Sequence, residues 1–339
     1  MTDTGPEITA DPVQVTAAPG WFTAAIAELP EHREVEVAGG AIHLRCWGRA
    51  GTPGVVLVHG GSAHSGWWDH IAPLLATTYR VVALDLSGHG DSVVRSRYPI
   101  DGWADEVMAA AEAGRIAGRP YIVGHSMGGR VTAVVGARYR ESVAGLIIID
   151  SPFREPSGES VVGQLRRKPK TYPAKDEICG RFRTVPEQAV LLPYVAEHVA
   201  EESVRNTGDG WVWKFDPQML RKRLEQGRIP PLGELRAVAA PVLYIRCELG
   251  LVDRERALEI AGLFGRPATV VELAGAGHHP MMDQPLPLVA TLRTALAQWD
   301  SLYGSAAGAS DRDTVPAPVA ISPASRLHPS ANRVDGGFR

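Results

Sequence analysis

Short apolar runs without polar alternation recur along this chain: GVVLVHG at 54–60, RVVALDL at 80–86, PYIVGHS at 120–126 and GLIIIDS at 145–151. Two more follow after a gap, PVLYIRC at 241–247 and ATVVELAG at 268–275. Each is bounded by turn residues, and an apolar run of this length reads as a strand buried on both faces. Between the runs the spacing changes to that of amphipathic helices, in WWDHIAPLLA, WADEVMAAAEAGRIA, MGGRVTAVVGARY, RERALEIAGLF and PLVATLRTALAQW. Buried strands separated by helices predict a parallel sheet covered on both sides, an α/β class. Ahead of them EVEVAGGAIHLRCWG, at 34–48, alternates around a Gly-Gly turn and predicts an antiparallel hairpin.

The rhythm stops after Asp150. Residues 151–239 mix Pro, Arg and aromatic residues, and only EQAVLLPYVAEHVAEESV, at 187–204, has clear helical spacing. This block predicts an insertion over the sheet, a helical cap after the sixth strand. The expected organisation is a flexible N-terminus (1–22), a first part of the core (23–150), the cap (151–239), a second part of the core (240–303) and a tail (304–339). The tail, with SAAGASDRDTVPAPVAISPASRLHPS, is too polar and too rich in small residues to bury a core and predicts disorder.

Composition narrows the function classes. The 339 residues are 45% hydrophobic and 22% charged, ordinary for a globular protein. The formal net charge of -3 gives no global pull toward nucleic acid or anionic membrane. The basic run RRKPK, from Arg166 to Lys170, lacks interleaved aromatics and predicts a solvated surface. Three scattered cysteines, Cys46, Cys179 and Cys247, form no metal-type pairs and suit a reducing compartment. No secretory signal or membrane-spanning run is visible, so a cytoplasmic location is expected.

The chemistry concentrates at turns after strands. Gly124-His125-Ser126-Met127-Gly128 follows the strand PYIV and opens a helix, which is G-x-S-x-G in the setting that gives the motif meaning. A sharp turn would lift the Ser126 hydroxyl above the sheet, and the Met127 N–H would point at a developing oxyanion. A second donor is expected from the loop after GVVLVHG. Gly61 is assigned, with Ser62 as fallback. Of the 11 histidines, the base is expected late in the chain, after the last strand, where Gly275-Ala276-Gly277-His278-His279-Pro280 lies. His278 is favoured and His279 follows by register. Adjacent histidines make a poor metal pair.

The set VLVHGG, LDLSGHGDS, VGHSMGG, IIIDSP and GAGHHPMMDQP, in this order over roughly 34–303, resembles the α/β-hydrolase superfamily. The resemblance implies a mostly parallel twisted sheet with helices on both faces. It also implies a triad of serine, histidine and an acid, with no cofactor or metal. The commonest family pattern puts the acid after the seventh strand, at the position that Gly250 occupies here. Three carboxylates compete for the role. Glu248 lies early, and Asp253 lies late and reads well as a helix N-cap. Asp150 ends the sixth strand at the same sheet edge as Ser126, where some members of the superfamily place the acid. Asp150 is favoured and Asp253 is second. Asp85 and the turn Ser87–Ser92 read as loop-shaping.

The expected activity is hydrolysis of small to medium carboxylic esters, lactones or thioesters through an acyl-enzyme. The partner is a small-molecule substrate, and the oligomeric state is left open. Two alternatives stand beside it. Relatives with the same triad cleave carbon–carbon bonds in ring-fission diketones, for which Arg130 and arginines of the cap could hold a carboxylate. Others keep the fold as non-catalytic receptors.

Overall fold

The computed structural model describes residues 17–153, 170–224 and 232–307. The chain divides into two units, 1–298 and 299–339, and the sheet belongs to the first. Eight strands form that sheet: β1 (Glu31–Val37), β2 (Gly40–Trp47), β3 (Gly54–Val58), β4 (Arg80–Leu84), β5 (Tyr121–His125), β6 (Gly145–Ile149), β9 (Val242–Leu249) and β10 (Thr269–Gly277). Their order is β1-β2-β4-β3-β5-β6-β9-β10. β1 and β2 pair antiparallel about Gly39-Gly40, and β2 pairs antiparallel with β4. All other pairs are parallel.

Burial explains the lack of alternation. Every residue of β3, β4, β5 and β6 is buried. Val56, Val58, Ile122 and Ile148 join one core cluster with Trp103, Val131, Val134 and Tyr244. Each such aliphatic side chain contributes roughly 1.5–3 kcal/mol on burial. The crossover helices supply the other half of that cluster through α3 (Ile100–Ala113), α4 (Met127–Tyr139) and α8 (Arg254–Gly262). The parallel strands all end at one edge, and the turns after β3, β5, β6 and β10 meet there.

Several boundaries differ from the sequence reading. α1 (Gly20–Ala27) begins inside the stretch expected to be flexible, because Phe22 and Ala25 find buried positions. The stretch WWDHIAPLLA does not form one helix. A 3-10 turn covers Ser65–Trp68 and α2 covers only Ala72–Ala76, with Pro73 in its first turn. In the insert, α6 (Pro193–Glu202) starts six residues later than 187, since proline suits a helix's first turn and interrupts its interior. The insert also holds α5 (Lys175–Cys179), a hairpin of β7 (Val204–Asn206) and β8 (Trp211–Trp213), and α7 (Met219–Leu224). Trp211 and Trp213 pack on Tyr172, Ile178 and Val204, a small core of the insert itself. α9 (Pro280–Asp283) and α10 (Pro285–Ala307) close the described chain, so helix continues past 304. The rest of the expected tail, and the basic run apart from Lys170, lie outside the described residues.

Candidate active site

Ser126 sits between β5 and α4 with φ +53° and ψ −114°, a conformation a non-glycine residue adopts only under constraint. The constraints are visible. Its N–H donates to the Ile149 carbonyl at 2.9 Å, and its own carbonyl accepts from Ser151 Oγ at 2.7 Å and from the Gly129 N–H at 3.0 Å. The flanking glycines have no room for side chains. A Cβ at Gly124 would stand 2.2 Å from Thr132 Oγ1, and one at Gly128 would stand 2.5 Å from the carbonyl oxygens of Val58 and His59. The G-x-S-x-G spacing is thus the sterics of a helix start pressed against the end of β3.

His278 follows β10. Its Nδ1 lies 2.7 Å from Asp150 Oδ2 and its Nε2 lies 3.0 Å from Ser126 Oγ. A carboxylate only accepts, so Nδ1 carries the proton and Nε2 is the acceptor facing the Ser126 hydroxyl. Asp150 and His278 are both buried.

Asp150 lies where β6 ends, at φ +41°. Its N–H donates to the Ile245 carbonyl at 2.8 Å. The turn after β9 wraps the carboxylate: the Leu251 N–H donates to Oδ2 at 2.8 Å and the Cys247 N–H to Oδ1 at 3.4 Å. Here Gly250 acquires a reason. A Cβ at 250 would stand 2.4 Å from Asp150 Oδ2. The carboxylate from β6 fills the space that a side chain at 250 would need. The other two carboxylates have different partners. Asp253 caps α8 by accepting from the Arg256 N–H at 2.8 Å, and Glu248 accepts from the Gly275 N–H at 2.7 Å.

Gly60 and Gly61 turn the chain beside Ser126. A Cβ at Gly60 would meet His125 Nδ1 at 2.9 Å and Ser126 Cβ at 3.4 Å, and one at Gly61 would come no closer than 3.9 Å to Met127 Sδ. Met127 is the first residue of α4, and N–H groups of a first turn lack intrahelical acceptors. The Gly61 turn and the helix start therefore flank the same serine.

Buried imidazoles crowd this edge. His125 Nε2 donates to the His278 carbonyl at 2.7 Å, and burial holds the His125 and His279 rings well below the ordinary histidine pKa. Nitrogens of His125, His278 and His279 lie within 4.8 Å of one another, the spacing of a loose metal set. Both His278 nitrogens and His125 Nε2 are already hydrogen-bonded. His43, Asp85 and Asp91 form a second such group, in which Asp85 also accepts from the Ser65 and Asp91 N–H groups. Asp85 thereby shapes the loops after β3 and β4. Arg130 is buried in α4. One feature escaped sequence reasoning: Gln188 of the insert accepts from the His279 N–H at 2.9 Å, and no local motif marks it.

The alpha/beta hydrolase family model matches residues 55–292. The chain belongs to the alpha/beta hydrolase family. Its curated relatives include a serine hydrolase-like protein of Danio rerio, 26% identical over 74% of this chain and 83% of the relative. A pimeloyl-[acyl-carrier protein] methyl ester esterase of Neisseria meningitidis is 33% identical over 38% of each chain. The chain thus spans less than two fifths of that esterase's length, and likewise 36% of an acetyltransferase component of an acetoin cleaving system from Pseudomonas putida. Its fold is similar to that of a thioesterase domain from a curacin biosynthetic pathway, with TM-score 0.65 and 24% identity over 78% of this chain and 99% of that one. Among the described residues, no helix is long and apolar enough to cross a membrane.

Proposed function

We propose that this hydrolase cleaves small to medium carboxylic esters, lactones or thioesters through an acyl-enzyme on Ser126. The observation that carries the reading is the line Ser126 Oγ, His278 Nε2, His278 Nδ1, Asp150 Oδ2, with contacts of 3.0 and 2.7 Å. Ser126 Oγ attacks the carbonyl carbon while His278 Nε2 takes its proton. Asp150 holds the ring in the tautomer that can do so and supports the imidazolium. The Gly61 and Met127 N–H groups receive the oxyanion. The tetrahedral intermediate collapses as His278 returns the proton to the leaving alkoxide or thiolate. Water, activated by the same nitrogen, then attacks the acyl-enzyme and releases the acid and the free serine.

The Neisseria relative's ester substrate supports an ester reading. The Trp67 ring lies 5.5 Å from the His279 ring and 5.9 Å from Phe182, so aromatic side chains, one of them from the insert read as a cap, stand beside the histidine turn. A panel of p-nitrophenyl esters of increasing chain length, with fluorophosphonate labelling read by mass spectrometry, tests the reading. Turnover of short to medium esters with a single label on Ser126 is expected. Labelling elsewhere, or labelling without ester turnover, would overturn it.

A further inference from the structure

The loop that carries His278 is gripped from outside the core. Gln188, in the insert, accepts from the His279 N–H through Oε1 at 2.9 Å. Its Nε2 donates to Asp283 Oδ2 at 2.7 Å, and that same oxygen accepts from the Gly277 N–H at 2.6 Å. One amide therefore holds both chain neighbours of His278, His279 directly and Gly277 through Asp283. The fit is close. A Cβ at Gly277 would stand 2.3 Å from Gln188 Cδ.

The grip has its own footing. The Gln188 N–H donates to Thr184 Oγ1 at 3.1 Å, and its Nε2 also reaches the Val190 carbonyl at 3.2 Å. A second tie runs nearby, from the Leu192 N–H to the Met282 carbonyl at 2.9 Å. On the core side, His70 Nε2 donates to the Met281 carbonyl at 2.7 Å. Asp283 is buried, and burial raises its carboxyl above the ordinary range, so a donor aimed at it matters.

We propose that Gln188 is a positioning residue for His278, a clasp through which the insert keeps the imidazole in register with Ser126. The proposal rests on the assignment of His278 as the base. It adds that the insert takes part in assembling the site as well as covering it. The held N–H groups lie one residue before and one after His278, and with His125 on the His278 carbonyl they restrict the backbone that carries the ring. Releasing the clasp lets the loop drift, and a drift of about 1 Å at a reacting group costs up to about a hundredfold in rate.

The 339-residue protein with Gln188→Ala, Gln188→Met and Gln188→Glu tests this. For Gln188→Ala and Gln188→Met, kcat on a p-nitrophenyl ester is expected to fall about tenfold or more, with KM within about twofold and fluorophosphonate labelling of Ser126 slowed in parallel. Gln188→Glu sets a second carboxyl against Asp283. Protonated, the new side chain can still donate to Asp283 and accept from His279; ionised, it repels. Its kcat relative to wild type should therefore rise as pH falls. The ratio removes the titration of His278 itself. Cys247 of β9 also acts on Asp283, and burial keeps its thiol protonated. Proton NMR of the low-field His278 Nδ1–H signal reads the same effect without turnover, and a shifted or broadened signal is expected in Gln188→Ala. Wild-type kcat in both Gln188→Ala and Gln188→Met, loss through KM alone, a pH-independent ratio for Gln188→Glu, or an unchanged imidazole signal would each overturn the clasp. A wild-type protein that fails to label on Ser126 would instead overturn the hydrolytic reading, and the NMR signal would still decide the clasp.

Discussion

A carboxylate and a glycine exchange places at positions 150 and 250. Asp150 receives the His278 Nδ1–H and the Leu251 N–H on one oxygen, while Gly250 leaves the volume that this oxygen occupies. Asp150→Asn should lower kcat by about 10⁴, because an amide favours the wrong tautomer of the imidazole. Asp253→Asn should leave kcat unchanged and cost well under about 1 kcal/mol in urea unfolding, since an asparagine oxygen still accepts from the Arg256 N–H and keeps the N-cap. Parallel kinetics and denaturation on the two variants separate these roles, and the reverse pattern would move the acid to Asp253. Gly250→Ala makes a sharper test of the packing. The added methyl must displace the carboxylate, so kcat should drop while the Asp150 side chain remains intact. Ser126, Met127 and His278 could be read from local motifs, since each sits in or beside a glycine-marked turn after a strand. Asp150 could be reached only by weighing three carboxylates, because its partners come from β9 and β10. Gln188 left no trace, being an ordinary residue in an irregular stretch.

Helix α6 is fastened to the sheet by charge. Arg45 of β2 donates to Asp69 Oδ2 at 2.7 Å and to Glu202 Oε2 at 2.5 Å, and His198 Nε2 lies 3.1 Å from the same Asp69 oxygen. Arg45 and Asp69 are almost fully buried. Arg45→Met strands the Asp69 carboxylate, and a loss of about 3 kcal/mol in unfolding free energy is expected, measured by urea denaturation. Burial acts to raise the Glu202 carboxyl, yet the hydrogen bond and charge of Arg45 outweigh it and hold that carboxyl below its usual 4.5. A depressed folded value means that this contribution is complete above about pH 4.5 and fades as pH falls through the lower folded value. Wild-type unfolding free energy should thus decline below that pH more steeply than that of Arg45→Met. Elements with strong periodicity, such as α4 over 127–139, stand where the pattern puts them. The stretches at 67–76 and 187–204 are shorter as helices because Pro73 and Pro193 set where helix can begin.

Across the first unit, the N-terminal helix reaches the insert. Phe22 of α1 packs 4.8 Å from Tyr194 and 6.1 Å from His198 of α6, and 5.8 Å from His70 of the core. Trp47 Nε1 donates to the Glu28 carbonyl at 2.8 Å just beyond that helix. Phe22→Ala should cost about 3 kcal/mol and lower Tm, since a cavity opens where three elements meet. Scanning calorimetry checks the size of the effect. An unchanged Tm would mean that α1 is dispensable for holding α6. What the sequence by itself determined was the doubly covered parallel sheet, the hairpin before it and the serine and histidine turns, because hydrophobic period and steric demand for glycine act over a few residues. Which carboxylate faces His278, where α1 docks and what holds the histidine loop were decided only in three dimensions. The Asp150–His278 contact alone spans 128 positions, and no local pattern records a partner at that separation.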